Sequence, residues 1–309
     1  MPEVSVIVPT KDRLPYLRQS VPLFLSHAEV GEVVIVVDGC SDETIEYVKE
    51  ASAADGRIRY VDNRQNRGLP YSRNKGAELA SCEYSFTAED DLELAPGFFA
   101  TLFGHMKQEN ADVIAARNIF RFEGESKEAA IARTDRLAKA PIDRRLAIVR
   151  VEVNTGSDRL QPLLPAPMLA RTDLLRKVGW DTRFRGNFWR EESDFQLSAV
   201  AAGYRLAYCP HAMSFNMLID NDRGGVHASW GTRRVALIVE NNWRFLGKHK
   251  QLIAREFGIR SRVVSLAQFV PWITYREIIF PRLAHLKKII LRAGRRRPPA
   301  GLSPSGGSR

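Results

Sequence analysis

Two stretches limit the fold more than any others: "VSVIVPT" (4–10) and "EVVIVVDGCSD" (32–42), β-branched runs that are apolar throughout and end in polar turn residues. A strand with two apolar faces needs cover on both, and "LPYLRQSVPLFLSH" (14–27) lies between the runs with helical spacing. The alternation continues through a helix in "DETIEYVKEAS", a short strand in "IRYVDN", a helix in "LPYSRNKGAELAS" and a strand in "YSFTAEDD". Strand–helix alternation of this kind predicts a mostly parallel sheet flanked by helices, the α/β class. Ligands of such sheets bind beyond the carboxyl ends of the strands. Pro9-Thr10, Asp38-Gly39 and Glu89-Asp90-Asp91 all fall at those ends, and three polar strand ends predict one site.

"TAEDDLEL" (87–94) raises the chemical question, because three adjacent carboxylates repel one another in an otherwise apolar neighbourhood. Carboxylates are hard oxygen ligands, and Mg²⁺ or Mn²⁺ characteristically takes one or two of them while bridging to substrate phosphates. The plainer reading is a helix N-terminus, where acids suit the macrodipole; the position at a strand end favours the metal. A second acidic group, Glu191, Glu192 and Asp194 in "WREESDF", opens a predicted helix beside Trp189 and Arg190. A carboxylate in a partly apolar site can take a proton from a hydroxyl, although acids in a first turn are ordinary.

Several function classes are excluded. The N-terminal apolar run is short, lacks a basic leader and carries Glu3, which reads as a buried strand and not a signal peptide. No window reaches 18 apolar residues without charge, so no membrane-spanning helix is expected. The three distant cysteines (40, 82, 209) argue against a disulfide framework and for a reducing, cytoplasmic setting. No dinucleotide-binding, P-loop, zincin or nucleophile-elbow motif is present. The net charge of +10 is a property of one end: residues 278–309 hold eight Lys or Arg and no acid, leaving +2 for the rest. A nearly neutral body argues against a nucleic-acid-binding protein, the alternative that the tail suggests.

In order, these motifs resemble a family-2 glycosyltransferase. "SVIVPTKDR" is similar to the family's opening strand, "VVIVVDGCSDET" to its second, and "NRGLPYSRNKG" to its N-x-G…A-R-N-x-G stretch. "FTAEDDLELAPGFF" resembles the D-x-D segment, "LPAPMLARTDLLRKVGWDTRF" the strand and helix that follow, and "WREESDFQLSAVAAGYRLAYCP" the helix carrying the base. The six fall in the family's order within residues 4–247. The resemblance implies the GT-A fold, Rossmann-like with a mostly parallel mixed sheet, and inverting transfer from a nucleotide-diphosphate sugar. The acceptor would be a hydroxyl on a saccharide or lipid-linked molecule, and the cofactor Mn²⁺ or Mg²⁺. It places Pro9, Thr10, Arg13, Asp38, Gly39, Arg73 and Asp90 around the nucleotide. Asp91, with Glu89, would hold the metal, and Glu192 would be the general base, with Glu191, Asp194 and Arg190 at the same helix start.

Three features depart from the family pattern: Glu89 stands where the D-x-D begins with Asp, Glu192 where many members have Asp, and Asn216 where a metal-binding histidine is expected. His211 or His227 stands as a substitute, or the metal has fewer protein ligands. A nucleotidyltransferase is the competing enzyme class, but the glycine- and arginine-rich loop such enzymes carry after the first strand is missing. The expected organisation is a catalytic domain over 1–255, divided into a nucleotide-binding half (1–118), an insertion or lid (119–160) and an acceptor half (161–255). A helical extension (256–294) and a disordered basic tail (295–309) follow. Aromatic residues followed by the basic amphipathic "RLAHLKKIILRA" fit an anionic membrane surface through 263–297, on the inner face of the cell membrane.

Overall fold

The computed structural model describes residues 3–137, 140–186, 188–217 and 232–280. Strand β1 (Val4–Thr10), helix α1 (Leu14–Leu25), β2 (Val30–Val37), α2 (Thr44–Ala54), β3 (Ile58–Asp62) and α3 (Leu69–Leu79) follow the expected alternation. β4 (Tyr84–Thr87) leads through the three carboxylates to a short β5 (Leu92–Leu94), then α4 (Phe98–Glu109) and β6 (Val113–Ile119). The middle of the chain holds α5 (Lys127–Thr134), a small hairpin of β7 (Ile142–Asp143) and β8 (Ile148–Val149), and β9 (Arg159–Leu160). Then come β10 (Met168–Arg171), α6 (Thr172–Val178), α7 (Glu191–Ala201), β11 (Leu206–Asn216), α8 (Thr232–Lys248), α9 (Lys250–Phe257) and α10 (Arg262–Thr274).

Nine strands form one sheet in the order β3-β2-β1-β4-β10-β6-β11-β5, with β9 also paired to β11. β1 to β4, β6 and β11 run one way, and β5, β9 and β10 run against them. The chain winds outward from β1 through β2 to β3, then returns to place β4 on the other side of β1. That reversal opens a crevice at the carboxyl ends of β1 and β4, where Thr10 and the Glu89-Asp90-Asp91 turn lie.

Side chains alternate across the sheet. Val6 and Val8 face a core layer with Leu17 and Phe24 of α1 and Phe98, Phe99 and Leu102 of α4. Ile7 and Val34 face the opposite layer with Ala77, Leu175 and Phe195. On that side α3 comes so close that a Cβ on Gly76 would sit 2.2 Å from Ile7 Cγ2. Only glycine allows this approach, and it carries Arg73, one turn earlier, to the sheet's edge.

The segment expected to be an insertion or lid is tied to the body. Arg117 of β6 is buried and donates to the Glu152 carbonyl (2.9 Å), Asp135 (2.8 Å) and the Thr134 hydroxyl. Phe269 and Ile273 of α10 pack with Leu146 and Ile238, so this part of the expected membrane extension has an internal partner. Its remaining apolar surface is exposed at Val263, Val264, Tyr275, Ile279 and Phe280. The amphipathic stripe and basic tail expected after residue 280 lie outside the described residues, as does His227. Among the described residues no helix is long and apolar enough to cross a membrane.

A candidate active site at the sheet's carboxyl edge

Thr10 closes β1, and its hydroxyl donates to Asp90 Oδ2 at 2.8 Å. Arg13, at the start of α1, donates from Nε to Asp90 Oδ1 (2.8 Å) and from a terminal nitrogen to Asp91 Oδ2 (2.7 Å). Its guanidinium also lies 4.2 Å from the centre of the Tyr16 ring. The first carboxylate group therefore has a built-in cation spanning two of its members.

The second group has its own. Arg73, 1% exposed, donates to Glu191 Oε1 and to Glu192 Oε1, the latter at 2.7 Å. Burial works against the Arg73 charge, but Glu191 and Glu192 outweigh it and hold the guanidinium above its ordinary range. Arg73, expected at the nucleotide, is brought by α3 against α7 beneath the surface, where it pairs with both glutamates. Glu191 is buried in that pair, while the Glu192 side chain remains 32% exposed. Of the two, Glu192 is the one a substrate can reach.

Glu89 belongs electrostatically to both groups. Burial, then the charges of Asp91 and Glu192, push its carboxyl up to about 8, against the pull of Arg73. Burial likewise moves Asp90 up to about 6 despite Arg13. Five carboxyls, Glu89, Asp90, Asp91, Glu191 and Glu192, face two guanidiniums. The shortfall shows in the carboxyls themselves: burial holds Glu191, like Glu89, well above its ordinary range despite Arg73.

The oxygens suit a hard cation. Glu89 receives no hydrogen bond among the described residues. At the end of β11 the Asn216 amide lies beside Asp91, its Nδ2 3.4 Å from Oδ1, while its buried Oδ1 has no hydrogen-bond donor. Turning that amide over would present a carbonyl oxygen to whatever Asp91 holds, so an oxygen donor stands where a histidine was expected. The Met217 N–H donates to the Asp91 carbonyl at 2.6 Å and fixes the two segments together. His211, proposed as a substitute ligand, is elsewhere: it lies in the bulge of β11 between Cys209 and Met213, and its ring stacks on His105 at 5.2 Å.

Other expected residues shape the site from behind. Asp38 accepts from Asn63 Nδ2 (2.9 Å) and the backbone N–H groups of Arg67 (2.8 Å) and Gly68 (2.9 Å), ordering the loop between β3 and α3. Gly39 has φ +66°, and a Cβ there would meet Asn66 N at 2.4 Å, so the turn after β2 requires glycine. Pro9 lies within β1, paired with Val36 of β2. Arg190 and Asp194 do not face the carboxylates. Arg190 donates to the Leu146 and Ala147 carbonyls and to Asn242, and burial lowers it to about 9. Asp194, fully buried, accepts from Lys248 (2.7 Å) and pairs with His249 (2.8 Å). Both anchor the start of α7. Sequence reasoning missed Lys248, His249 and Asn242, which carry no local motif.

The raised Glu89 value has a consequence for stability. An unfolded glutamate titrates near 4.5 and the folded one near 8, so between these values the folded chain holds the extra proton. That contribution is present at low pH and is lost as pH rises through about 8. In chelator, urea unfolding should show the wild type losing stability between about pH 4.5 and about pH 8, with Glu89→Gln losing clearly less. An equal loss in both would remove Glu89 as the cause.

Comparison with known proteins places this geometry. Residues 5–157, just under half the chain, match the family described as Glycosyl transferase family 2. Glycosyltransferase GlyA of Streptococcus pneumoniae serotype 4 is 31% identical over 121 residues, 39% of this chain and 17% of that protein. A Campylobacter jejuni GalNAc(5)-diNAcBac-PP-undecaprenol beta-1,3-glucosyltransferase is 33% identical over 105 residues, 33% of this chain and 34% of that one. The chain thus spans well under half the length of either relative. Among solved structures, mannosyltransferase PcManGT from Pyrobaculum calidifontis, in complex with GDP-Man and Mn²⁺, superposes with TM-score 0.57 at 16% identity. That superposition covers 88% of this chain and 71% of the other. S. aureus TarS 1–349 in complex with UDP-GlcNAc gives 0.55 at 14% identity, covering 82% and 66%. The shared fold is GT-A.

Proposed function

We propose, for a chain with the GT-A fold whose residues 5–157 carry the family-2 match, a metal-dependent, inverting glycosyltransferase. It would move a sugar from a nucleotide-diphosphate donor to an acceptor hydroxyl in the synthesis of a surface polysaccharide or other glycoconjugate. The observation that carries this reading is the meeting, at the carboxyl ends of β1 and β4, of two carboxylate groups with different partners. One is set to hold the donor and the other to hold the acceptor.

In this reading the nucleoside lies over the ends of β1 and β2, near Thr10, Asp38 and Asp90. Glu89, Asp91 and the Asn216 amide would hold a divalent cation, which offsets the charge that builds on the leaving diphosphate. Arg13 shares Asp91 with that site, and its reach to both Asp90 and Asp91 holds the two carboxylates oriented before substrate arrives. Glu192, braced by Arg73, accepts the acceptor hydroxyl's proton as that oxygen attacks the sugar's anomeric carbon. The carbon–oxygen bond forms as the bond to the diphosphate breaks, and attack from the face opposite the leaving group inverts the anomeric centre.

A lipid-linked acceptor fits the C-terminal end. Val263, Val264, Tyr275, Ile279 and Phe280 are exposed on α10 and the helical turn after it, and the chain then continues into its most basic segment. Apolar side chains beside a basic run suit an anionic membrane surface.

The test is a thermal-shift panel of UDP, GDP, dTDP and CDP, each with and without Mn²⁺. One diphosphate should raise the unfolding temperature only with metal, by an amount equivalent to ~2.7 kcal/mol at a hundredfold excess over Kd, and Asp91→Ala should lose the response. Turnover of the matching sugar donor should release the nucleoside diphosphate. Pyrophosphate release would instead identify a nucleotidyltransferase, and no shift with any nucleotide would count against the donor site.

A further inference from the structure

A second cluster of metal-ligand side chains lies away from the carboxylates. His105 of α4, Asp158 just before β9 and Cys209 of β11 bring one ligand atom each to within 4.8 Å of one another. His105 Nδ1 hydrogen-bonds Asp158 Oδ2, and the Asp158 side chain is only 5% exposed. Its other oxygen, Oδ1, is buried with no hydrogen-bond partner. Such an atom ordinarily costs a protein stability unless something satisfies it.

The sulfur is prepared in a particular way. Cys209 is fully buried, so it is not placed as a nucleophile for a substrate. The backbone N–H groups of His211 and Ala212, in the bulge after Pro210, point back at it. Hydrogen bonds from successive amides to one sulfur stabilise a thiolate and are a recurrent outer shell of thiolate–metal sites. Burial, and then the charge of Asp158 and the thiol's hydrogen bond to that carboxyl, nonetheless push the Cys209 thiol up to about 12 against the pull of those amides. A dication beside it would overcome that cost.

We propose that His105, Asp158 and Cys209 form a zinc site that ties α4, the strand β9 and the central part of β11 together. One thiolate and one carboxylate offset the two charges of the ion, and a neutral imidazole completes three protein ligands, so the buried site carries no net charge. A thiolate with an imidazole selects zinc over magnesium or manganese, which separates this ion from the one at Asp91. Tetrahedral zinc places its ligand atoms about 3.3–3.8 Å apart, which small side-chain rotations reach from the present spacing. With three protein ligands, a water would complete a four-coordinate shell. Binding displaces the thiol proton, while the proton that His105 Nδ1 shares with Asp158 moves to the other ring nitrogen and leaves the imidazole neutral. The other grouping among the described residues, Asp12, Cys40 and Asp42, carries no such prospect: Asp12 and Asp42 already accept hydrogen bonds from Lys11, Ser41 and Thr44.

The test titrates Co²⁺ into the metal-stripped full chain with excess Mg²⁺ present. The wild type should develop a thiolate-to-cobalt charge-transfer band saturating at one equivalent, and Zn²⁺ should bleach it. Cys40→Ser and Cys82→Ser should keep the band and Cys209→Ser should lose it. His105→Gln, at a partly exposed ring, should weaken cobalt binding at least about tenfold. The proposal fails if the wild type shows no thiolate band, if the band survives Cys209→Ser, or if His105→Gln binds cobalt as tightly as the wild type.

Discussion

Glu192→Gln should lower the turnover number by about 10²–10⁴-fold, the range for losing a positioned general base, and leave the affinity for the donor nucleotide unchanged. The substitution keeps size and keeps an oxygen that can accept from Arg73, so the helix start is undisturbed. It removes only the capacity to take a proton. Because the side chain is 32% exposed, it costs little stability, and the unfolding midpoint should move by less than about 1 kcal/mol equivalent. Steady-state rates should fall in kcat and kcat/KM together, the pattern of an interaction made in the transition state. A variant that kept its turnover number would leave Glu192 as a counter-ion to Arg73 and nothing more. The neighbouring Asp194 supplies a contrast. Its carboxyl is committed to Lys248 and His249, so Asp194→Asn should lower stability before it lowers the intrinsic rate.

What could be read from residues alone divides along a physical line. The strand ends at Thr10 and Asp38 and the acids after β4 were legible because they are local: apolar runs stop, and polar residues follow. The sheet's direction was legible for the same reason. β5 escaped notice, since "LEL" is too short to carry a period and becomes a strand only by pairing with β11. Partner identity was the other thing withheld. Counting acids against bases shows that Glu89, Asp90, Asp91, Glu191 and Glu192 need cations, but it does not say which. Arg13 and Arg73 answer through the fold: one enters from α1, the other crosses from α3 because Gly76 lets that helix sit on Ile7. Asn216 is a third example. From sequence it marked a missing histidine; in place, its amide is beside Asp91.

The same charge balance underlies the largest expected effect on stability. Arg73→Met should destabilise the protein by about 3–5 kcal/mol, because it leaves a buried carboxylate without its partner. Methionine fills the guanidinium's space near Trp180, so the loss is chiefly electrostatic and should respond to charge. Two further measurements test that. Lowering the pH should shrink the deficit, since burial already holds the Glu191 carboxyl well above its ordinary range and, without the pull of Arg73, it takes a proton and becomes neutral the more readily. The variant's stability relative to wild type is lost as pH rises and recovered as it falls. Adding Glu191→Gln should restore a large part of the stability at neutral pH, giving a double-mutant coupling on the order of 1–3 kcal/mol. Activity should not return with it, because Glu192 still lacks the brace that holds it toward the acceptor. Recovery of stability without recovery of turnover separates a buried charge pair that holds the fold from one that also positions the base. If both return together, Arg73 matters only through Glu191, and Glu192 is oriented by something else.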